Sequence, residues 1–171
     1  MGTAGGIKLM QDWIEDTFVV VSGDNLTSFD IAPLVKMHET RKADVSMALW
    51  EVEDTSEFGI VDCDAGGRIV RFQEKPAPGE EFSRLINAGL YIVQPNVLDQ
   101  IPETDPCDFS RDLFPSMLRA GQKLYATSLQ GTWYDIGRHS DLARSQIEIA
   151  SGQSHLVEGI HLEGSLVKRE S

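Results

Sequence analysis

Several short stretches of this chain carry side chains that could do chemistry. Gly23-Asp24-Asn25 closes a run of β-branched residues, and a carboxylate there can hold Mg²⁺ against a phosphate. The same tripeptide also makes an ordinary turn in which the Asp24 carboxylate bonds nearby backbone. Trp133-Tyr134-Asp135-Ile136-Gly137-Arg138 sets a second acid between bulky residues and a glycine. Asp135 could be the companion metal ligand, since Mg²⁺ takes one or two carboxylates plus phosphate oxygens in an octahedral shell. It could equally stabilise the amides of a helix-entry turn.

Phe72-Gln73-Glu74-Lys75-Pro76 ends an expected strand with an acid, a base and a residue that lacks an amide proton. The Lys75 ammonium suits a phosphate, and the Glu74 carboxylate can accept hydrogen bonds from sugar hydroxyls. A solvated strand terminus with an edge-protecting charge is the alternative. Asn87-Ala88-Gly89-Leu90-Tyr91 puts an amide in an apolar strand, where it must find partners or cost about 1 kcal/mol or more. A polyhydroxylated ligand would supply them; a structural bulge is the other way to account for Asn87 and Gly89. Gly2-Thr3-Ala4-Gly5-Gly6 precedes an apolar-periodic stretch, and free amides at a helix start could meet an anion or a nucleobase edge.

The elements that must position these residues follow from periodicity. Ile7, Met10, Trp13 and Ile14 predict a helix over Ala4–Glu15. Phe18–Ser22 predicts a strand buried on both faces of a parallel sheet, with Asp24 at its carboxyl end, where α/β proteins build sites. Asp30 can cap a helix carrying Pro33, Leu34, Val35 and His38, followed by a strand at Val45–Glu51 through a right-handed crossover. Gly59–Cys63 and Arg68–Glu74 flank Asp64-Ala65-Gly66-Gly67, a good antiparallel hairpin turn. Ala77–Glu81 reads as a loop and Leu85–Val93 as a strand. Helices are expected at Pro95–Ile101 and Ser110–Ala120, extended segments at Leu124–Ser128 and Thr132–Tyr134, and a last helix capped by Ser140 and ending at Gly152. Beyond it, Gly159 and Gly164 space a small aliphatic repeat that could begin a parallel β-helix; a flexible tail or a single strand is the alternative.

The chain's 171 residues, 41% of them hydrophobic, suit one main globular domain. A formal charge of −12 argues against nucleic acid or an anionic membrane surface as partner. Even the longest aliphatic or aromatic runs, Phe18–Val21 among them, fall far short of the ~20 residues that span a bilayer, so the expectation is a soluble, cytoplasmic protein. Cys63 and Cys107 are far apart with no metal-type spacing, and are read as reduced thiols.

Taken in order, GTAGG, GDN, FGI, FQEKP, NAGLY and WYDIGR resemble the sugar-1-phosphate nucleotidyltransferase family, which includes glucose-1-phosphate thymidylyltransferases and mannose-1-phosphate guanylyltransferases. The resemblance implies an α/β fold with a Rossmann-like mixed sheet of the nucleotidyltransferase, glycosyltransferase-A-like type. It runs over residues 1–152, with 153–171 as a tail similar to the left-handed β-helix of many members. On it, Asp24 and Asp135 would be the Mg²⁺ ligands and Lys75 would contact the sugar phosphate, these three being the catalytic set. Glu74 and Asn87 would bind sugar hydroxyls, Gly59 would offer its backbone to the sugar, and Gly2 and Gly5 would lie beside the nucleobase. The substrates would be a hexose-1-phosphate and a nucleoside triphosphate.

The family's first strand, its GxGTR-type loop and its Pro-Lys element, which hold the triphosphate, have no counterpart in these residues. The expectation is therefore an N-terminally truncated member with little or no transferase activity alone, forming a homo-oligomer or joining a complementing subunit. A non-catalytic sugar-phosphate-binding or regulatory module is the alternative. A retaining glycosyltransferase would call for a DxD metal motif rather than the isolated Asp24, and a nicotinamide-dependent dehydrogenase for a GxGxxG after a strand, which does not occur here.

Overall fold

The structure, a computed structural model, describes residues 2–137, 139–151, 160–163 and 166–169. Its contacts divide the chain into two compact units, one of Met1–Val21 with Ile31–Leu129 and one of Ser22–Asp30 with Gln130–Ser171. The boundary expected between 152 and 153 lies outside the described residues.

The first unit is built on a six-stranded mixed sheet. Its elements are α1 (Gly2–Lys8), β1 (Phe18–Val21), α2 (Ala32–Arg41), β3 (Val45–Glu51), β4 (Gly59–Cys63), β5 (Ile69–Glu74), β6 (Leu85–Val93), α3 (Phe114–Arg119) and β7 (Leu124–Ser128). The strand order is β5-β4-β6-β3-β7, with β1 also on β6. Only β3 and β7 pair in parallel; the other ladders of this sheet are antiparallel. One edge of β6 faces β3, while its other edge is shared by β4 through Ile60 and Ile86 and by β1 from Val21 opposite Leu90 to Phe18 opposite Val93.

That topology corrects the expectation for β1. Its partner is antiparallel, and Val19 and Val21 are 47% and 50% exposed while Phe18 and Val20 pack on the core. A uniform β-branched run conceals such one-sided burial, because alternate residues point to opposite faces whatever their type. The first helix is also shorter than expected. It ends at Lys8, and Gln11–Trp13 form a 3₁₀ turn that leaves Trp13 81% exposed.

The hairpin forms as expected. Asp64 Oδ1 accepts from the amides of Gly66 and Arg68 at 2.8 and 2.9 Å, and Gly67 adopts φ +79°. In α2 the N-cap is Ile31 rather than Asp30, with Pro33 in the first turn; Lys42 in the left-handed region closes the helix on the carbonyls of Glu39 and His38. Pro95–Gln100 is a 3₁₀ helix, and Phe109–Leu113 is a π-helical turn leading into α3.

One sheet face buries Val45, Met47, Leu49, Tyr91 and Val93 against α3 and the segments flanking it. Phe114 sits centrally there, 5.0 Å from the Tyr91 ring, edge-on, and 5.6 Å from Phe109. On α2, buried His38 bonds Ser46 Oγ and Gln94 Nε2 at 2.9 and 2.8 Å. Burial lowers its pKa, against the opposing pull of Asp44 and Glu39.

The second unit contains β2 (Asn25–Thr27) paired antiparallel with β8 (Trp133–Asp135), and α4 (His139–Ala150). Ser140, expected as a cap, lies inside α4. The strands β9 (Ile160–Glu163) and β10 (Leu166–Arg169) pair antiparallel. A β-helix coil would stack its strands in parallel, so the expected β-helix start is not seen among the described residues; Gly159 and Gly164 lie outside them. No helix among the described residues is long and apolar enough to cross a membrane.

Candidate functional site

In the second unit, β2 and β8 align Asn25 with Asp135, and the Ile136 amide donates to the Asp24 carbonyl at 2.9 Å. Two acids distant in the sequence therefore become neighbours. The Asp135 carboxylate accepts from the Gly137 amide at 2.9 Å. A Cβ built on Gly137 would stand 3.0 Å from Asp135 Oδ1 and 3.5 Å from Asp24 Oδ2. Both carboxylates thus converge on a space that a side chain at position 137 would fill. Such a cradle fits a divalent cation that takes two protein carboxylates and completes its shell with water or phosphate oxygen. No cluster of three or more metal-ligating side chains occurs among the described residues, so an all-protein cage is not what this arrangement offers.

In the first unit, Gly59 pairs directly with Glu74. A Cβ on Gly59 would lie 2.7 Å from Glu74 Oε2 and 2.8 Å from Phe72 Cζ. The glycine is what lets this carboxylate lie over the start of β4. Burial raises the pKa of Glu74; the Asp108 carboxylate adds to this, and Lys75 and Arg111 oppose it. Lys75 adopts φ +43°, its amide donates to the Phe58 carbonyl at 3.0 Å, and its ammonium stands 3.2 Å from Glu57 Oε2 in an exposed ion pair. The left-handed backbone turns the chain away from the ladder just before Pro76, which is buried.

Asn87 sits at an irregularity of β6, where Met47 pairs Tyr91 but Leu49 pairs Asn87 and Gly89 adopts φ +70°. Its Nδ2 donates to Tyr91 Oη at 2.7 Å and to Ser110 Oγ at 3.1 Å, and its Oδ1 accepts from the Gly89 amide at 2.9 Å. The bulge and the protein's own hydroxyls satisfy this amide, so the need for partners does not by itself call for a ligand. Tyr91 is buried, and its pKa is pushed up to about 12, burial being the main cause.

Gly2 takes φ +75° and packs so tightly on the Cys107 backbone that a Cβ would collide with its carbonyl. The amides of Ala4 and Gly5 donate to that same carbonyl at 3.0 and 3.1 Å, so these two helix-start donors are already engaged. Cys107 is a buried free thiol and Cys63 a partly buried one.

Sequence reasoning passed over Asp108. It caps the turn at Phe109, its Oδ1 accepting from the amides of Ser110 and Arg111 at 3.0 and 3.3 Å and its Oδ2 from Thr3 Oγ1 at 2.8 Å. Burial pushes its pKa up, but these hydrogen bonds outweigh that and hold it below the ordinary value. An Asp immediately before an apolar helical run is a readable cap signal; starting the helix at Ser110 concealed it. A cavity of about 880 Å³ between α2 and the amino end of β1 is lined by Phe18, Val35, His38, Ile92 and Gln94, and by none of the candidate residues. Its volume alone does not outweigh the glycine contacts and carboxylates that mark the other two places.

Residues 1–152 match the family model for nucleotidyl transferases. The chain is 40% identical over 146 residues to a UTP–glucose-1-phosphate uridylyltransferase of Synechocystis sp., covering 82% of this chain and 38% of that protein. It is 35% identical over 154 residues to a mannose-1-phosphate guanylyltransferase of Mycobacterium tuberculosis, covering 89% and 42%. The fold is similar to that of a Bacillus anthracis protein named for glucose-1-phosphate thymidylyltransferase and solved with sucrose. That match has a TM-score of 0.74 at 29% identity, over 85% of this chain and 60% of the other. The chain spans about two fifths of the length of these curated relatives.

Proposed function

Because this chain belongs to the nucleotidyl transferase family, we propose that it supplies the sugar-phosphate-binding and metal-binding residues of a sugar-1-phosphate nucleotidyltransferase. The reaction moves a nucleoside monophosphate from a nucleoside triphosphate to a hexose-1-phosphate. A phosphate oxygen of the sugar-1-phosphate attacks the α-phosphorus, the bond to the bridging oxygen of the β-phosphate breaks, and pyrophosphate leaves. Since the attacking oxygen is already anionic, the chain needs no side-chain base; positioning and charge do the work.

Asp24 and Asp135 would hold Mg²⁺, which when bound neutralises phosphate charge. Lys75 would exchange its exposed partner Glu57 for the sugar phosphate. Glu74 and Asn87 would accept hydrogen bonds from sugar hydroxyls, and the Asn87 carboxamide has only its oxygen left to offer once both N–H groups are engaged. Gly59 would let sugar and backbone approach closely, and Gly2 and Gly5 would line the nucleobase side. What carries this proposal is the convergence of Asp24 and Asp135 on the space above Gly137. The activities for which these relatives are named, which share a sugar-1-phosphate and differ in base and in hexose, support the substrate class.

These residues contain no GxGTR-type loop, so the chain alone is expected to turn over little or nothing. Its working form would be a homo-oligomer or a complex with a complementing polypeptide, in the cytoplasm. The test is calorimetric titration of glucose 1-phosphate and mannose 1-phosphate, with and without Mg²⁺, beside a pyrophosphate-release assay with each nucleoside triphosphate. Saturable binding strengthened by Mg²⁺, and turnover only when a polypeptide carrying a GxGTR-type loop is added, is the expected pattern. Binding that never leads to turnover would favour a non-catalytic sugar-phosphate-binding module, and robust turnover by the chain alone would overturn the expected inactivity.

A further inference from the structure

We propose that Thr3 and Asp108 are positioning residues for the candidate sugar site: an unbroken run of hydrogen bonds leads from Thr3 through Asp108 and Ser110 to the Asn87 carboxamide, and fixes which atom Asn87 can offer. This rests on the functional assignment of Asn87 above.

Thr3 Oγ1 donates to Asp108 Oδ2 at 2.8 Å and accepts from the Phe109 amide at 3.1 Å. The hydroxyl's donor is thereby used and its rotamer pinned. Asp108 Oδ1 in turn holds the amides of Ser110 and Arg111, which sets the start of the π-helical turn and the place of Ser110 Oγ. That oxygen takes one Asn87 N–H while Tyr91 Oη takes the other. With Oδ1 already accepting from Gly89, a flipped amide would set its N–H group against the Gly89 N–H, so the unflipped amide is held and faces a ligand as an acceptor only. The same carboxylate of Asp108 acts on Glu74, adding to the rise that burial causes there. One residue therefore influences both groups assigned to sugar hydroxyls.

The latch can be opened without undocking α1. The backbone bonds from Ala4 and Gly5 to the Cys107 carbonyl do not involve the Thr3 side chain, and Thr3→Val keeps its shape while removing the hydroxyl. Thr3→Ser restores the hydroxyl and serves as the rescue.

The experiment follows the Asn87 side-chain amide resonances by NMR in the full 171-residue chain, and the affinity for glucose 1-phosphate and mannose 1-phosphate by calorimetry. In Thr3→Val the Asn87 pair is expected to shift and the better-bound sugar phosphate to weaken about tenfold, the equivalent of one hydrogen bond's net contribution. Thr3→Ser is expected to return both to wild type. Unchanged Asn87 resonances in Thr3→Val, or a shift that Thr3→Ser fails to reverse, overturn the latch. If the wild-type chain binds neither sugar phosphate, the sugar-site assignment fails, and the Asn87 resonances with their rescue still decide whether the latch exists.

Discussion

Gly59 lies directly across the β4–β5 ladder from Glu74, at a separation that leaves no room for a methyl group: a Cβ there would approach Oε2 to 2.7 Å. The ring of Phe72, 2.8 Å from the same point, closes the other side. Gly59→Ala must displace both the carboxylate and a ring that packs edge-on against Phe114. It is expected to cost about 1–3 kcal/mol of stability, the range for overpacking, and to weaken hexose-1-phosphate binding at least tenfold. Chemical denaturation and calorimetry on the same preparation check the two effects.

Glu74 gives the site a pH signature. Its carboxyl is held above the ordinary value of 4.5, chiefly by burial, so the folded chain binds that proton more tightly than the unfolded chain does. The charge therefore subtracts stability at neutral pH, and the subtraction disappears as pH falls below 4.5. Glu74→Gln is expected to raise the thermal midpoint by a few degrees at pH 7 and to match wild type near pH 4. Sugar-phosphate affinity should fall more on acidification in wild type, where the carboxylate loses an acceptor, than in the Gln variant, where only the phosphate protonation common to both remains.

Asp108 has the opposite sign. Its hydrogen bonds hold it below the ordinary 3.8, so it contributes stability above that pH, and the contribution is lost as pH falls through its depressed value. Asp108→Ala removes the cap of the π-helical turn and the partner of Thr3. A loss of about 1–2 kcal/mol at pH 7 is expected, shrinking toward zero well below pH 3.8, as read from denaturation curves across pH.

Much of the frame was legible in the residues. The bounds of β3 and β6 follow their apolar runs, and Asp64-Ala65-Gly66-Gly67 announces the β4–β5 hairpin because only such residues make that turn cheaply. What was not legible depended on tertiary partners. Leu9 to Ile14 keep a helical period, yet the chain breaks into a 3₁₀ turn after Lys8. Phe18 to Val21 look buried on both faces, but they pack on the core with one face only.

The same division holds for the candidate residues. Asp24 and Asp135 were singled out by type and setting, and the β2–β8 register brings them together. For Asn87, a polyhydroxylated ligand and a structural bulge were the two readings; the strand is irregular there, and Tyr91 and Ser110 partner the amide nitrogen. In a regular strand, positions four apart share a face but stand about 13 Å apart, so periodicity alone does not foresee this contact.

Gly137 is the least conspicuous member of the proposed metal cradle. Gly137→Ala places a methyl 3.0 Å from Asp135 Oδ1 and 3.5 Å from Asp24 Oδ2, so it is expected to weaken Mg²⁺ binding about tenfold or more with little change in the thermal midpoint. Calorimetric Mg²⁺ titration beside a melting curve separates that outcome from general destabilisation.

The pairing of Asp24 with Asp135 as one cation site is tested most directly by paramagnetic broadening with Mn²⁺ in place of Mg²⁺. In the wild-type chain, substoichiometric Mn²⁺ should first erase the amide signals of Asn25, Ile136 and Gly137, and in Asp135→Asn those signals should survive the same addition. Broadening centred on other residues, or loss of these three signals undiminished in Asp135→Asn, would contradict the assignment.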